Sequence, residues 1–228
     1  MHLGVFGGSF NPIHLGHLAI ARQTRERLGF DRILFIPTGD PPHKHVRDLA
    51  PARDRLEMVR LALADTPDFD VSDIELRRQG KSYTIDTVRD LARRGPPDLR
   101  LSFLIGLDAF KDLPSWREPE ALLSLCSFVV LSRPGHTFQS LAALPFLPRN
   151  THESLAALDT GTHTQLAIPL PSGHTVTCLA LPPSPISASA IRERVRHGAT
   201  LANLLPPPVE SYILTHQLYR EDPNRTHI

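Results

Sequence analysis

The sequence predicts an α/β fold: a doubly wound, Rossmann-like, mostly parallel sheet with helices on both faces and a small helical part at its C-terminal end. Three observations carry this reading. Short apolar runs alternate with longer amphipathic stretches, the pattern of a parallel sheet covered on both sides. The first apolar run leads through paired glycines directly into a helix-like segment. A chain of 228 residues, 41% apolar and 21% charged, also suits one compact domain with a small appendage better than two full ones.

Taken in order, Leu3 to Phe6 is the first strand, and the segment from about His14 to Leu28 is a helix that stops at Gly29, a residue suited to the left-handed turn after a helix. Ile33 to Ile36 is the second strand, closed by Pro37. Leu56, Val59 and Leu63 share one helical face, which predicts a helix over Ala52 to Ala64. Phe69 to Leu76 reads as a strand, Thr84 to Arg94 as a helix and Leu101 to Ile105 as a strand. Helical pieces between Leu107 and Leu125 precede a further strand over Phe128 to Leu131. The pattern decays from Arg133 to about Pro185, although Val176 to Leu181 suits a late strand, and residues 136–182 read as a mobile insert. Helices return over Ser187 to His197 and Val209 to Leu218. The expected organisation is therefore a core over 1–185, a helical part over 186–220 and a polar, fraying tail over 221–228.

Charge and cysteine content exclude several classes. With 25 Lys and Arg against 24 Asp and Glu, the chain lacks the field of a general nucleic-acid binder, so any anion site is local. Cys126 and Cys178 have no metal-type spacing and read as buried free thiols. No basic leader and no long apolar run is present, so the expected setting is cytoplasmic, with no membrane partner. A homo-oligomer is left open. The 22 prolines suit loops at strand ends and helix boundaries better than disorder.

The strongest motif runs Gly7-Gly8-Ser9-Phe10-Asn11-Pro12-Ile13-His14-Leu15-Gly16-His17, where the first strand passes into the first helix. Ligands bind at the carboxyl ends of strands in such sheets. Glycines there let backbone approach a phosphate, and the helix start offers free N–H groups. Two histidines three positions apart lie about 60° apart around a helix and face one anion together. The glycines alone also fit a tight turn, and either histidine alone also fits a core position. The pair could ligate a metal, but no third ligand stands at a recognisable spacing, so no protein-held metal site is expected.

His14-Leu15-Gly16-His17 resembles the HxGH signature of the nucleotidyltransferase superfamily, which transfers AMP or CMP onto a phosphate. Ile186-Ser187-Ala188-Ser189-Ala190-Ile191-Arg192 resembles its ISSTxxR motif; taken alone, Ser187 would be a helix cap and Arg192 a surface charge. Pro41-Pro42-His43-Lys44, Ser82-Tyr83-Thr84-Ile85-Asp86-Thr87, Gly106-Leu107-Asp108 and Leu113-Pro114-Ser115-Trp116-Arg117 narrow the resemblance to the bacterial nicotinate-nucleotide adenylyltransferases. It spans Leu3 to Arg220, with no motif matched over about 136–182.

The resemblance implies transfer of AMP from ATP, carried with Mg2+, to nicotinate mononucleotide. It implies His14, His17 and Arg192 as catalytic residues, with Gly7, Gly8, Ser9, Phe10, Gly106, Asp108, Ile186, Ser187 and Ser189 beside them at ATP. Lys44, Tyr83, Thr84, Asp108, Trp116 and Arg133 would take the acceptor. Outside the resemblance, Lys44 and Arg133 fit solvated surface charges and Tyr83 and Trp116 fit core packing. Phosphopantetheine and nicotinamide mononucleotide are the rival acceptors, and a catalytically silent nucleotide-binding module is the rival class.

Overall fold

The computed structural model describes residues 1–40 and 49–220. Seven strands form one sheet: β1 (His2–Gly8), β2 (Arg32–Pro37), β3 (Phe69–Val71), β4 (Arg100–Gly106), β5 (Ser127–Leu131), β6 (Gln165–Pro169) and β7 (Thr175–Leu179), in the spatial order β3-β2-β1-β4-β5-β7-β6. All neighbours run parallel except the antiparallel β6–β7 pair at one edge. The chain moves outward from β1 to β3, then crosses back to start β4 on the other side of β1. The carboxyl ends of β1 and β4 therefore flank the topological switch point, where a crevice opens.

Alternation along each strand supplies both faces. Leu3 and Val5 of β1, Leu101, Phe103 and Ile105 of β4, and Phe128 and Val130 of β5 point to one side. There they meet α3 (Thr84–Arg94), α4 (Leu107–Lys111), α5 (Pro119–Leu125) and α6 (His152–Asp159). Phe6, Ile33, Phe35, Leu104 and Val129 point to the other side, against α1 (Leu15–Leu28), α2 (Ala52–Leu63), α7 (Ala188–Arg196) and α8 (Pro207–Thr215). The doubly wound α/β reading is the fold that forms. The C-terminal helices contribute Ile191, Val195, Val209 and Ile213 to the second core, and Tyr212 Oη donates to Asp54 Oδ1 of α2 at 2.8 Å.

Local chemistry explains the boundaries. Gly29 ends α1 in the left-handed region at φ 63°, and its N–H returns to the Arg25 carbonyl. Pro119 and Pro207 open α5 and α8, where a helix has no use for an N–H. One expectation differs from the structure. β3 ends at Val71 rather than Leu76, because the chain turns there: the Arg77 N–H reaches the Asp73 carbonyl at 3.1 Å. Residues 136–182, expected as a mobile insert, pack on the sheet in this structure: Phe138, Leu141, Leu155, Leu158, Ile168, Val176 and Cys178 are buried in the first core, and β7 pairs with β5. The burial of their side chains ties this stretch to the sheet. The tail 221–228 lies outside the described residues. Among the described residues, no helix is long and apolar enough to cross a membrane.

Candidate active site

Beyond Phe6, which pairs with Leu104, β1 keeps only its β2 partner through Gly8, so Gly7 and Gly8 edge the crevice. Space at both is tight. A Cβ at Gly7 would lie 3.0 Å from the Phe103 ring, and one at Gly8 would lie 3.2 Å from the Phe10 ring. Phe10 adopts φ 43°, which turns the chain sharply and buries its ring edge-on to Phe6 and His17. A cis Asn11–Pro12 bond and buried Ile13 then bring the chain into α1.

His14 is the residue before α1, with extended backbone, and His17 lies in the first turn. The His14 backbone N–H donates to His17 Nδ1 at 3.3 Å. Because an amide can only donate, Nδ1 carries the lone pair and the neutral ring holds its proton on Nε2. The two rings stack with centroids 3.7 Å apart. Burial, helped by the Arg133 charge, lowers the His14 pKa to about 4, and burial followed by the His14 and Arg133 charges holds His17 well below the usual imidazole range. Both rings are thus neutral hydrogen-bonding groups near pH 7. Gly16 keeps the arrangement open, since a Cβ there would meet Ser184 Oγ at 2.6 Å and His14 Nδ1 at 3.0 Å. Among the described residues, His14 Nδ1 is buried without a hydrogen-bond partner.

Three elements bring further groups to this point. Arg192 of α7 donates from Nη1 to the Asn11 carbonyl at 2.8 Å, and among the described residues its Nε is buried without a partner. Ser187 caps α7, accepting from the Ala190 N–H at 3.2 Å, with Ile186 and Ser189 on either side of it. Arg133 follows β5, and its Nε stands 3.7 Å from Asp108 Oδ2 in the first turn of α4. Gly106 leaves room for that carboxylate, because a Cβ would come within 2.5 Å of Asp108 Oδ1. The crevice therefore gathers neutral imidazoles, a helix start and two guanidinium groups, a combination that favours polyphosphate.

A second, smaller feature adjoins α3. Tyr83, Thr84 and Trp116, with Thr38, Ser82, Arg117 and Leu122, line a cavity of about 160 Å³. The Arg117 guanidinium lies 4.8 Å from the Tyr83 ring centre. Thr84 begins α3, so its N–H and that of Ile85 belong to the turn whose donors a helix leaves unmatched. Flat walls, a cation and free N–H groups suit an aromatic ring bearing a negative charge. Lys44 lies outside the described residues.

Comparison with known proteins places this geometry. Residues 5–194 match the cytidylyltransferase-like family. Proteins of Geobacter metallireducens and Citrifermentans bemidjiense, each named a probable nicotinate-nucleotide adenylyltransferase, are both 44% identical to this chain, over 97% and 96% of it and 100% and 98% of their own lengths. The chain belongs to the nicotinate-nucleotide adenylyltransferase family. The fold is shared with the Plasmodium falciparum nicotinic acid mononucleotide adenylyltransferase solved with NaAD, at TM-score 0.70 and 17% identity, covering 96% of this chain and 97% of that one.

Within this adenylyltransferase family member, sequence reasoning missed Arg55 and gave no role to Asn11 and Arg117, which it met only as members of longer motifs. The Arg55 side chain is fully buried in α2, and its guanidinium donates to the carbonyls of Ala50, Ser9, Thr38 and Gly39 at 2.7–3.2 Å. Its signal was available: Arg55, Met58, Val59 and Ala62 stand at i, i+3, i+4 and i+7, placing a charge on the buried stripe. Asn11 Oδ1 accepts the Ala50 N–H at 3.0 Å, so hydrogen bonds run from Arg55 through Ala50 and Asn11 to Arg192.

Proposed function

We propose that this chain transfers AMP from ATP to the 5′-phosphate of nicotinate mononucleotide, giving nicotinate adenine dinucleotide and pyrophosphate. One observation carries the reading: the stacked His14–His17 pair at the switch-point crevice, where a polyphosphate fits, in a fold that also holds an aromatic cavity with a cationic wall. Relatives named for this activity over nearly the whole chain support it.

The nucleophile is an oxygen of the acceptor phosphate, largely dianionic at pH 7 because its second pKa is about 6. No general base is needed. The oxygen attacks the α-phosphorus in line, a new P–O bond forms, and the α–β bridging bond breaks as pyrophosphate departs, without a covalent enzyme intermediate. The chain positions the two phosphates and stabilises the charge that develops. His17 donates from Nε2 to the α-phosphate, and His14 contacts the ATP phosphates. Arg192, with Ser187 and Ser189, takes the β- and γ-groups, while the backbone from Gly7 to Phe10 runs alongside. Gly106, Asp108 and Ile186 hold the nucleoside part. Tyr83 and Trp116 take the pyridine ring, Thr84 its carboxylate, and Arg133 the acceptor side of the crevice. ATP enters as its magnesium complex, with the metal held mainly by phosphate and water. Among the described residues, no three His, Cys, Asp or Glu side chains converge to cage it.

Pyrophosphate release is measured with ATP and magnesium against nicotinate mononucleotide, nicotinamide mononucleotide and phosphopantetheine. Turnover is expected with the first above the other two. A preference for phosphopantetheine overturns the acceptor, and no turnover with any of them overturns the enzyme reading.

A further inference from the structure

Two buried charged side chains, Arg55 and Glu75, lie beside the same dipeptide. Arg55 Nη2 donates to the Thr38 carbonyl at 2.7 Å and to the Gly39 carbonyl at 3.2 Å. The Glu75 carboxylate accepts from Thr87 Oγ1 at 2.9 Å, and the Gly39 backbone N–H and the Ser82 hydroxyl favour its charged form. No side chain fits at Gly39 itself, because a Cβ there would lie 2.7 Å from the Glu75 backbone carbonyl oxygen and 2.9 Å from Ser82 Oγ. Ser82 and Asp40 then exchange hydrogen bonds, the Ser82 N–H reaching the Asp40 carbonyl at 2.9 Å and the Asp40 N–H reaching Ser82 Oγ at 3.3 Å.

What these groups support is divided between the two halves of the site. Arg55 Nη1 also donates to the Ser9 carbonyl at 2.8 Å, in the loop that leads into the histidine pair. Thr38 and Ser82, by contrast, line the aromatic cavity. The Arg55 guanidinium thus spans the phosphate loop and the near wall of the pyridine cavity, while Glu75 joins that wall to the start of α3. Packing alone does not ask for this: an apolar side chain of similar volume fills a buried site without the desolvation that a guanidinium and a carboxylate suffer. A planar fork that satisfies several carbonyls at once fixes their separation, which a lysine ammonium does less well.

We infer that Arg55 and Glu75 are positioning residues for the transfer, clamping Thr38–Gly39 so that the ATP and acceptor half-sites keep the spacing in-line attack requires. This rests on the proposed function, since it presumes those two half-sites. A ligand that spans both gains affinity only if their separation matches its own length, whereas a ligand occupying one is indifferent to it.

The test compares three ligands by calorimetry on the native protein and on Arg55→Lys: ATP, nicotinate mononucleotide, and nicotinate adenine dinucleotide, which occupies both half-sites. In Arg55→Lys the dinucleotide is expected to bind at least about tenfold more weakly, with ATP and the mononucleotide each within about threefold of native. A merely structural role would weaken all three alike. Parallel loss of all three, or an unchanged dinucleotide affinity, overturns the clamp. Should Arg55→Lys lack a cooperative melt, Glu75→Gln carries the same comparison with the same expected split, because a carboxamide replaces one acceptor oxygen with a donor. A native protein that binds neither the mononucleotide nor the dinucleotide would instead overturn the proposed function, so the two failures are distinguishable.

Discussion

His14 and His17 stack with ring centroids 3.7 Å apart and planes inclined by 24°, while the His14 backbone N–H holds His17 Nδ1 at 3.3 Å. One hydrogen bond thereby sets both the tautomer and the direction of the second ring. The proton on His17 Nε2 points away from that bond, and under the proposed function it is the donor to the incoming phosphate oxygen.

His17→Ala removes that donor. Loss of one preorganised donor at a charge-developing centre costs roughly 10² to 10³ in turnover. The variant is expected to lose at least about 10² in kcat while its thermal melt stays cooperative, because His17 lies at the crevice rather than in the deep core. Initial rates of pyrophosphate release check this, and a near-native rate would remove the role given to the residue.

Gly16→Ala sets helix propensity against geometry. In an exposed helix the change gains up to about 1 kcal/mol. Here the new methyl would meet Ser184 Oγ at 2.6 Å and His14 Nδ1 at 3.0 Å. The expected outcome is a melting temperature close to native with turnover reduced roughly ten- to a hundredfold, since small displacements of a reacting group cost that much. Steady-state rates beside a thermal melt separate the two effects, and native turnover would show that the ring's position does not depend on this contact.

Legibility in the sequence followed the local signals. The strands of the central sheet are apolar runs buried on both faces, and α3 begins at Thr84 and ends at Arg94 as its pattern indicates. The stretch 136–182 was opaque because it holds short 3₁₀ turns and the edge strand β6, whose one fully buried residue is Ile168. A single inward residue makes no alternation. The histidine pair was legible because its chemistry lies within one turn of chain. Arg55 was not, because a charged residue in an amphipathic helix ordinarily faces water, and its carbonyl partners come from three separate loops.

The aromatic cavity predicts a division between the two substrates. Trp116 lines it with Tyr83, and neither His14 nor His17 is among its lining residues. Stacking of a base on an aromatic side chain contributes about 1–3 kcal/mol, so Trp116→Ala is expected to raise KM for nicotinate mononucleotide about tenfold or more and to leave KM for ATP nearly unchanged. Trp116→Phe keeps a flat surface and should recover much of the affinity. Equal rises in both KM values would place Trp116 outside the acceptor site.

Depressed histidine pKa values tie stability to pH with a definite sign. An unfolded histidine titrates near 6.5, whereas burial and the nearby Arg133 charge lower His14 to about 4. Between these values the unfolded chain binds the proton and the folded one does not, so stability falls as pH drops from 6.5 toward 4 and is fully present above 6.5. For His14 alone the loss across that window amounts to about 3 kcal/mol, and His17, shifted in the same direction, adds to it. Urea unfolding of the native protein and of His14→Asn at pH 7 and pH 4.5 isolates this contribution, since the carboxylates common to both cancel in the difference. The variant is expected to lose markedly less stability on acidification. Parallel curves would mean that His14 titrates as it does in the unfolded chain, and the neutral-donor role at pH 7 would then lose its electrostatic basis.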